Sequence, residues 1–114
     1  MENITLTKSA DAVISALYKS FLEKHKNGKT QSLARYFGGS EYLMNEFFPT
    51  WSIDDIDESL RELHAFGLVD CFFCDDTVGE LCLSSHGIAF MENRFSNNVN
   101  TVLEWLGKIR SFLP

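Results

Sequence analysis

Cys71, Cys74, Cys82 and His86 are the four side chains whose types and spacing come closest to a chemical site. A Cys-x-x-Cys pair followed by a third thiol and an imidazole offers the thiolate and nitrogen ligands that tetrahedral zinc prefers. The local pattern opposes that chemistry. Val69 to Cys74 reads as a strand, and positions three apart in a strand point to opposite faces, so Cys71 and Cys74 do not converge on one ion without a bulge. Thioredoxin-like redox chemistry fails on placement as well, because it needs the pair at a helix N-terminus whose dipole stabilises a thiolate. The expectation is free thiols packed as small hydrophobic groups, with no metal and no cofactor.

The second dense group is acidic. Between Ser52 and Leu83 the chain carries Asp54, Asp55, Asp57, Glu58, Glu62, Asp70, Asp75, Asp76 and Glu80 against a single base, Arg61. The whole chain has a formal charge of -6, so its remainder is net basic. Neighbouring helix positions diverge by about 100°, which spreads Asp54, Asp55, Asp57 and Glu58 around a first turn instead of pairing them for acid/base work or a cation. His25, His64 and His86 have no nucleophile beside them, and no glycine-rich phosphate loop, nucleophile elbow or metal-protease helix occurs. The chain is therefore not expected to be an enzyme.

Helices and one hairpin must position these groups. Ser9 is expected to cap a first helix, with Asp11 in its first turn and Val13, Ile14, Leu17, Tyr18, Phe21 and Leu22 on one face, closing at Asn27-Gly28. Thr30 caps a second, TQSLARYF, with Leu33, Ala34 and Phe37 inward, stopped by Gly38 and Gly39. Ser40 caps a short helix to Phe48, where Tyr42, Leu43, Met44, Phe47 and Phe48 read as extra core, with a partner-binding ridge including Trp51 as the other reading. Ser52 caps a helix that buries Ile53, Ile56, Leu60, Leu63 and Phe66, turns Asp54, Asp55, Asp57, Glu58, Arg61 and Glu62 outward, and ends at Gly67.

A hairpin follows as VDCFFC, a turn DDTVGE, and LCLS. With Asp70 outside, Val69, Cys71 and Phe73 face inward beside Leu81 and Leu83, while Phe72, Cys74 and Cys82 face out. In the last helix Val99, Val102, Leu103, Leu106, Ile109 and Leu113 form one stripe, widened by Trp105 and Phe112. That surplus implies either a cover over the outer hairpin face or self-association through Val102, Trp105, Leu106, Ile109 and Phe112.

LRELHAFGLVD, then a hairpin, then LSSHGIAFMENRF resembles the helix, wing and closing helix of bacterial winged-helix proteins, with Leu83, Ser84 and Gly87 in the Leu-Thr/Ser-x-x-Gly pattern that follows the wing. With the helix in SNNVNTVLEWLGKIRSFLP, the chain is similar to small YjcQ-like winged-helix proteins of bacterial and phage genomes. The resemblance implies a mainly α fold with a small β-hairpin wing (α+β), a winged helix with a C-terminal helix. The likeness covers roughly two thirds of the chain, and the chain itself is expected to form one domain over 1–114, with a core over 9–95 and the last helix over 97–113.

One core is what 114 residues at 45% hydrophobic content support. The N-terminus lacks the layout of a signal peptide, no apolar run is long enough for a membrane span, and three cysteines fit a reducing compartment, so the expected location is cytoplasmic, with no membrane partner. Winged helices in general imply DNA binding, yet phosphate contacts need Lys and Arg where this chain has acid. Lys24, Lys26, Lys29, Arg35 and Arg61 are the residues that would serve DNA. The reading favoured by charge is a non-enzymatic protein-interaction or regulatory module whose acidic helix and wing face a protein partner. An inhibitor imitating nucleic acid, of the kind phages encode, is a narrower variant.

Overall fold

A computed structural model describes residues 4–110, apart from the side chain of Arg110. Helix α1 (Lys8–Lys26) runs through the centre, burying Ala10, Val13, Ile14, Leu17, Tyr18 and Phe21. Its cap is Thr7 and not Ser9, because the Thr7 hydroxyl accepts the Ala10 N–H at 3.2 Å and the helix has already begun at Lys8. Thr30 caps α2 (Gln31–Ala34), which is only one turn long. The expected continuation to Phe37 is instead strand β1 (Tyr36–Gly38), and Leu33 is 64% exposed instead of inward. Aromatic Tyr36 and Phe37 favour extended backbone, and pairing with a later strand settles the competition that local spacing could not resolve.

Helix α3 (Ser40–Phe47) follows, with Ser40 as its buried first residue and not its cap; Gly39 holds the cap position without a side-chain bond. Leu43 and Phe48 enter the core, whereas Tyr42 is 41% exposed. Helix α4 (Ile53–Ala65) is capped by the Ser52 hydroxyl on the Asp55 N–H, and Gly67 leaves it at φ 73°. Ile56, Leu60 and Leu63 are fully buried; Ile53 and Phe66, expected on the same stripe, sit at its ends and are exposed.

The hairpin joins β2 (Val69–Cys74) to β3 (Thr77–Leu83) through Asp75 and Asp76 alone. Both of these have positive φ, 51° and 64°, as a two-residue turn matched to strand twist requires, and aspartate tolerates that region. The turn is therefore shorter than DDTVGE, and Thr77 to Glu80 belong to the second strand. Phe73 keeps the inward side expected from alternation, opposite buried Val78 and 5.7 Å from the His64 ring of α4. Near the hairpin tip it is still 48% exposed, and the register irregularity between Phe72 and Phe73 leaves Gly79 as the extra residue on β3. The sheet order is β1-β3-β2, antiparallel throughout.

Ser84 caps α5 (Ser85–Phe95), and α6 (Val99–Arg110) then packs back along α1. Two side chains guard the sheet's free edges: Lys24 Nζ donates to the Tyr36 carbonyl at 2.9 Å, and His64 Nδ1 lies 3.3 Å from the Cys71 N–H on β2. Asp11 ties three helices together, accepting two bonds from Arg94 of α5 at 2.8 and 3.1 Å and one from the Trp105 indole of α6 at 3.2 Å. The buried apolar residues form a single cluster drawn from every element.

Two glycines are required by close approach. A Cβ on Gly87 would lie 2.0 Å from the Leu68 carbonyl oxygen, and one on Gly39 1.9 Å from that of Val78, whereas Gly107 in α6 has open space around it. Gly87→Ala is expected to cost more than about 3 kcal/mol in urea unfolding, while Gly107→Ala gains up to about 1 kcal/mol from helix propensity.

Candidate functional site

The acidic stretch does not form one surface. Asp57 is 8% exposed and turned into the fold, which corrects its expected outward position. Its carboxylate accepts bonds from the Ser40 hydroxyl of α3, the Thr77 hydroxyl at 3.0 Å and the Val78 N–H at 3.2 Å. A buried carboxylate is tolerated only when its oxygens are satisfied, and here three donors from two other elements satisfy them. The signal was present in the sequence: position 57 lies four residues after Ile53 and three before Leu60, on the flank of the apolar stripe.

Glu62 is also withdrawn. Its two oxygens accept the Thr7 N–H and hydroxyl, each at 2.8 Å, so it fixes the start of α1. Glu80 pairs with Phe72 and Gly38 and alternates with buried Leu81, which puts it on the opposite face of the sheet from α4. What remains exposed at the α4–hairpin end is Asp54, Asp55, Glu58, Asp75 and Asp76. Asp54, Glu58 and Asp76 line a shallow depression together with Asp57 and Arg61. Arg61 is not extended toward solvent as a phosphate ligand would be: its guanidinium donates to the Asp76 carbonyl and lies 5.3 Å from the Phe73 ring centroid.

The bases proposed for nucleic acid are dispersed. Lys24 is held by the Tyr36 carbonyl and sits 3.8 Å over the Phe37 ring, and burial, with a smaller contribution from Lys29, lowers its pKa. Lys26 and Lys29 are exposed at the end of α1 and beyond it. Arg35 reaches the Ser85 hydroxyl at 3.4 Å, and its Nε is buried with no hydrogen-bond partner.

Among the described residues, the self-association stripe on α6 is largely buried within the chain. Val102, Leu106 and Ile109 are at most 5% exposed and belong to the core, and Trp105 is half-buried on Asp11 and Arg94. Phe112, like Leu113, lies outside the described residues. α1 takes up most of this stripe, although Leu103, expected within it, stays 45% exposed, and the hairpin takes none of it, so Phe72 remains 55% exposed on the outer sheet face.

Cys71 and Cys82 are buried on opposite faces of the sheet, and Cys74 is exposed. Burial first, then Asp70, pushes the Cys71 thiol up to about 12, and the same two causes raise Cys82. Among the described residues no group of three or more His, Cys, Asp or Glu is placed to hold a metal ion. No described helix is long and apolar enough to cross a membrane.

The class defined at this point is an α+β chain, mostly helical, with a small three-stranded antiparallel sheet. Compared with protein-family models, with curated proteins and with solved structures, the chain matches none.

Replacing Asp57 by Ala strands the Val78 N–H and is expected to cost about 2–4 kcal/mol in urea unfolding, against less than about 0.5 kcal/mol for exposed Asp54 or Glu58. In native protein a thiol reagent should label Cys74 quickly, and Cys71 and Cys82 only after denaturation; fast labelling of all three would contradict their burial.

Proposed function

We propose that this chain is a winged-helix protein-interaction module, with α4 and the hairpin as its recognition helix and wing and a basic region of another protein as the partner. The order helix, strand, helix, helix, hairpin, together with the β1-β3-β2 sheet, supports the winged-helix reading, as does the Leu83, Ser84, Gly87 pattern. In that pattern Ser84 caps α5, and Gly87 admits the Leu68 carbonyl. The one-turn α2 is an addition to that plan.

The observation that carries the functional reading is the charge at the working end. Asp54, Asp55, Glu58, Asp75 and Asp76 are exposed there, and the single base nearby, Arg61, is folded back onto the hairpin. Specific DNA binding draws much of its affinity from Lys and Arg displacing counterions, and this surface repels phosphate instead. A basic protein surface gains the complementary attraction, which acts on association rate and partner choice. Imitation of nucleic acid toward a nucleic-acid-binding protein is the same surface put to one particular use.

The test is a pull-down from the organism of origin with the intact protein and an Asp54→Lys, Asp55→Lys, Glu58→Lys form, both nuclease-treated. Partners retained by the first, lost by the second and released by salt are the expected outcome. Equal retention by both forms rules the acidic face out as the interface.

A further inference from the structure

The end of the fold formed by α4 and the hairpin is not purely acidic. Phe73 lies there, 48% exposed, with the Arg61 guanidinium 5.3 Å from its ring centroid and the His64 ring edge-on at 5.7 Å. Arg61 also borders the depression lined by Asp54, Asp57, Glu58 and Asp76, so an apolar surface and an acidic hollow adjoin across one side chain. The hollow holds a buried charge as well as exposed ones. Asp57, 8% exposed, accepts from the Ser40 hydroxyl and the Val78 N–H, and the Thr77 hydroxyl stands 3.0 Å from both its oxygens. A single hydroxyl hydrogen serves one oxygen at a time, so three donors meet about four lone-pair positions. One position is left for a donor entering from the depression.

We propose that the segment bound at this end is a basic amphipathic helix of another protein. One large apolar side chain packs on Phe73, and a lysine or arginine beside it enters the depression and supplies the remaining donor to Asp57. The proposal rests on the α4–hairpin end being a protein-binding face, and it specifies the kind of partner. Charge complementarity selects the cations, because Asp54, Asp55, Glu58, Asp75 and Asp76 are exposed at this end. The ring selects the apolar residue, because interfaces concentrate affinity in apolar anchors, often aromatic, surrounded by a polar rim. A uniformly basic surface answers the acid but leaves Phe73 in water. A helix with a narrow apolar stripe flanked by Lys or Arg answers both, since positions three or four apart carry the two kinds of side chain on one face.

The test uses two synthetic lysine-rich peptides of equal length and charge, one with leucines at helical spacing and one with serines in their place. Each is titrated against the full chain by fluorescence anisotropy. The wild type is expected to bind the leucine peptide about tenfold more tightly, as burial of one apolar side chain gives. This comparison needs no variant, and circular dichroism verifies folding of those that follow. Phe73→Ser should abolish the preference while still binding the serine peptide, and Phe72→Ser, on the outer sheet face, should keep it. The Asp54→Lys, Asp55→Lys, Glu58→Lys form should lose both peptides. Equal affinity of the wild type for the two peptides, a preference that survives Phe73→Ser, or its loss in Phe72→Ser overturns the inference and leaves the acidic face as a protein-binding one. Binding of neither peptide, or unchanged binding of both by the charge-reversed form, overturns that reading along with it.

Discussion

The carboxylate of Asp57 is the point on which the arrangement of α3, α4 and the hairpin depends. It leaves the solvent face of α4 to bond the Ser40 hydroxyl at the start of α3 and the Thr77 and Val78 groups at the start of β3. Burying an acid is costly unless its oxygens are fully used, so the site tolerates little displacement of any of the three elements. One consequence is local: Asp75 and Asp76 take up left-handed backbone directly before the anchored Thr77. Another is positional, since the hairpin tip is held beside the first turns of α4, where Arg61 reaches across to the Asp76 carbonyl.

The remaining acid is then partitioned by what each group can bond. Glu62 secures the Thr7 cap of α1, and Glu80 goes to the far face of the sheet. Asp11 plays the corresponding role on the other side of α1, gathering Arg94 and Trp105 and thereby fixing α5 and α6. Only after these internal uses does an exposed set remain, Asp54, Asp55, Glu58, Asp75 and Asp76. Under the proposed winged-helix reading, that is the end at which a DNA-binding relative of the fold would carry cations, and the acid there favours a basic protein partner.

Much of this was readable from the chain. Helical spacing located α1, α4 and α6, α5 came from the winged-helix resemblance, and the Thr30 and Ser52 caps and the Gly67 exit follow from side-chain chemistry that acts within one turn. What could not be read depends on distant partners. Tyr36 to Gly38 continue a helical pattern until β3 offers a strand to pair with. The irregularity at Phe72–Phe73 is a property of two strands together, and it decides that Phe73 meets Val78 with Gly79 left over on β3. The breadth of the apolar surface on α6 was legible, but not that α1 would take it up. Asp57 sits between these cases, because its place beside the stripe was visible while its three donors came from residues 17 to 21 positions away.

The proposed role of the α4–hairpin end is to meet protein and not nucleic acid. The most direct measurement is an amide NMR titration of the labelled protein with random-sequence duplex DNA at less than about 50 mM salt, where phosphate contacts are strongest. The amides of residues 53–61 and 73–78 are then expected not to shift. Saturable shifts confined to those residues, weakening steeply as salt is added, would contradict it.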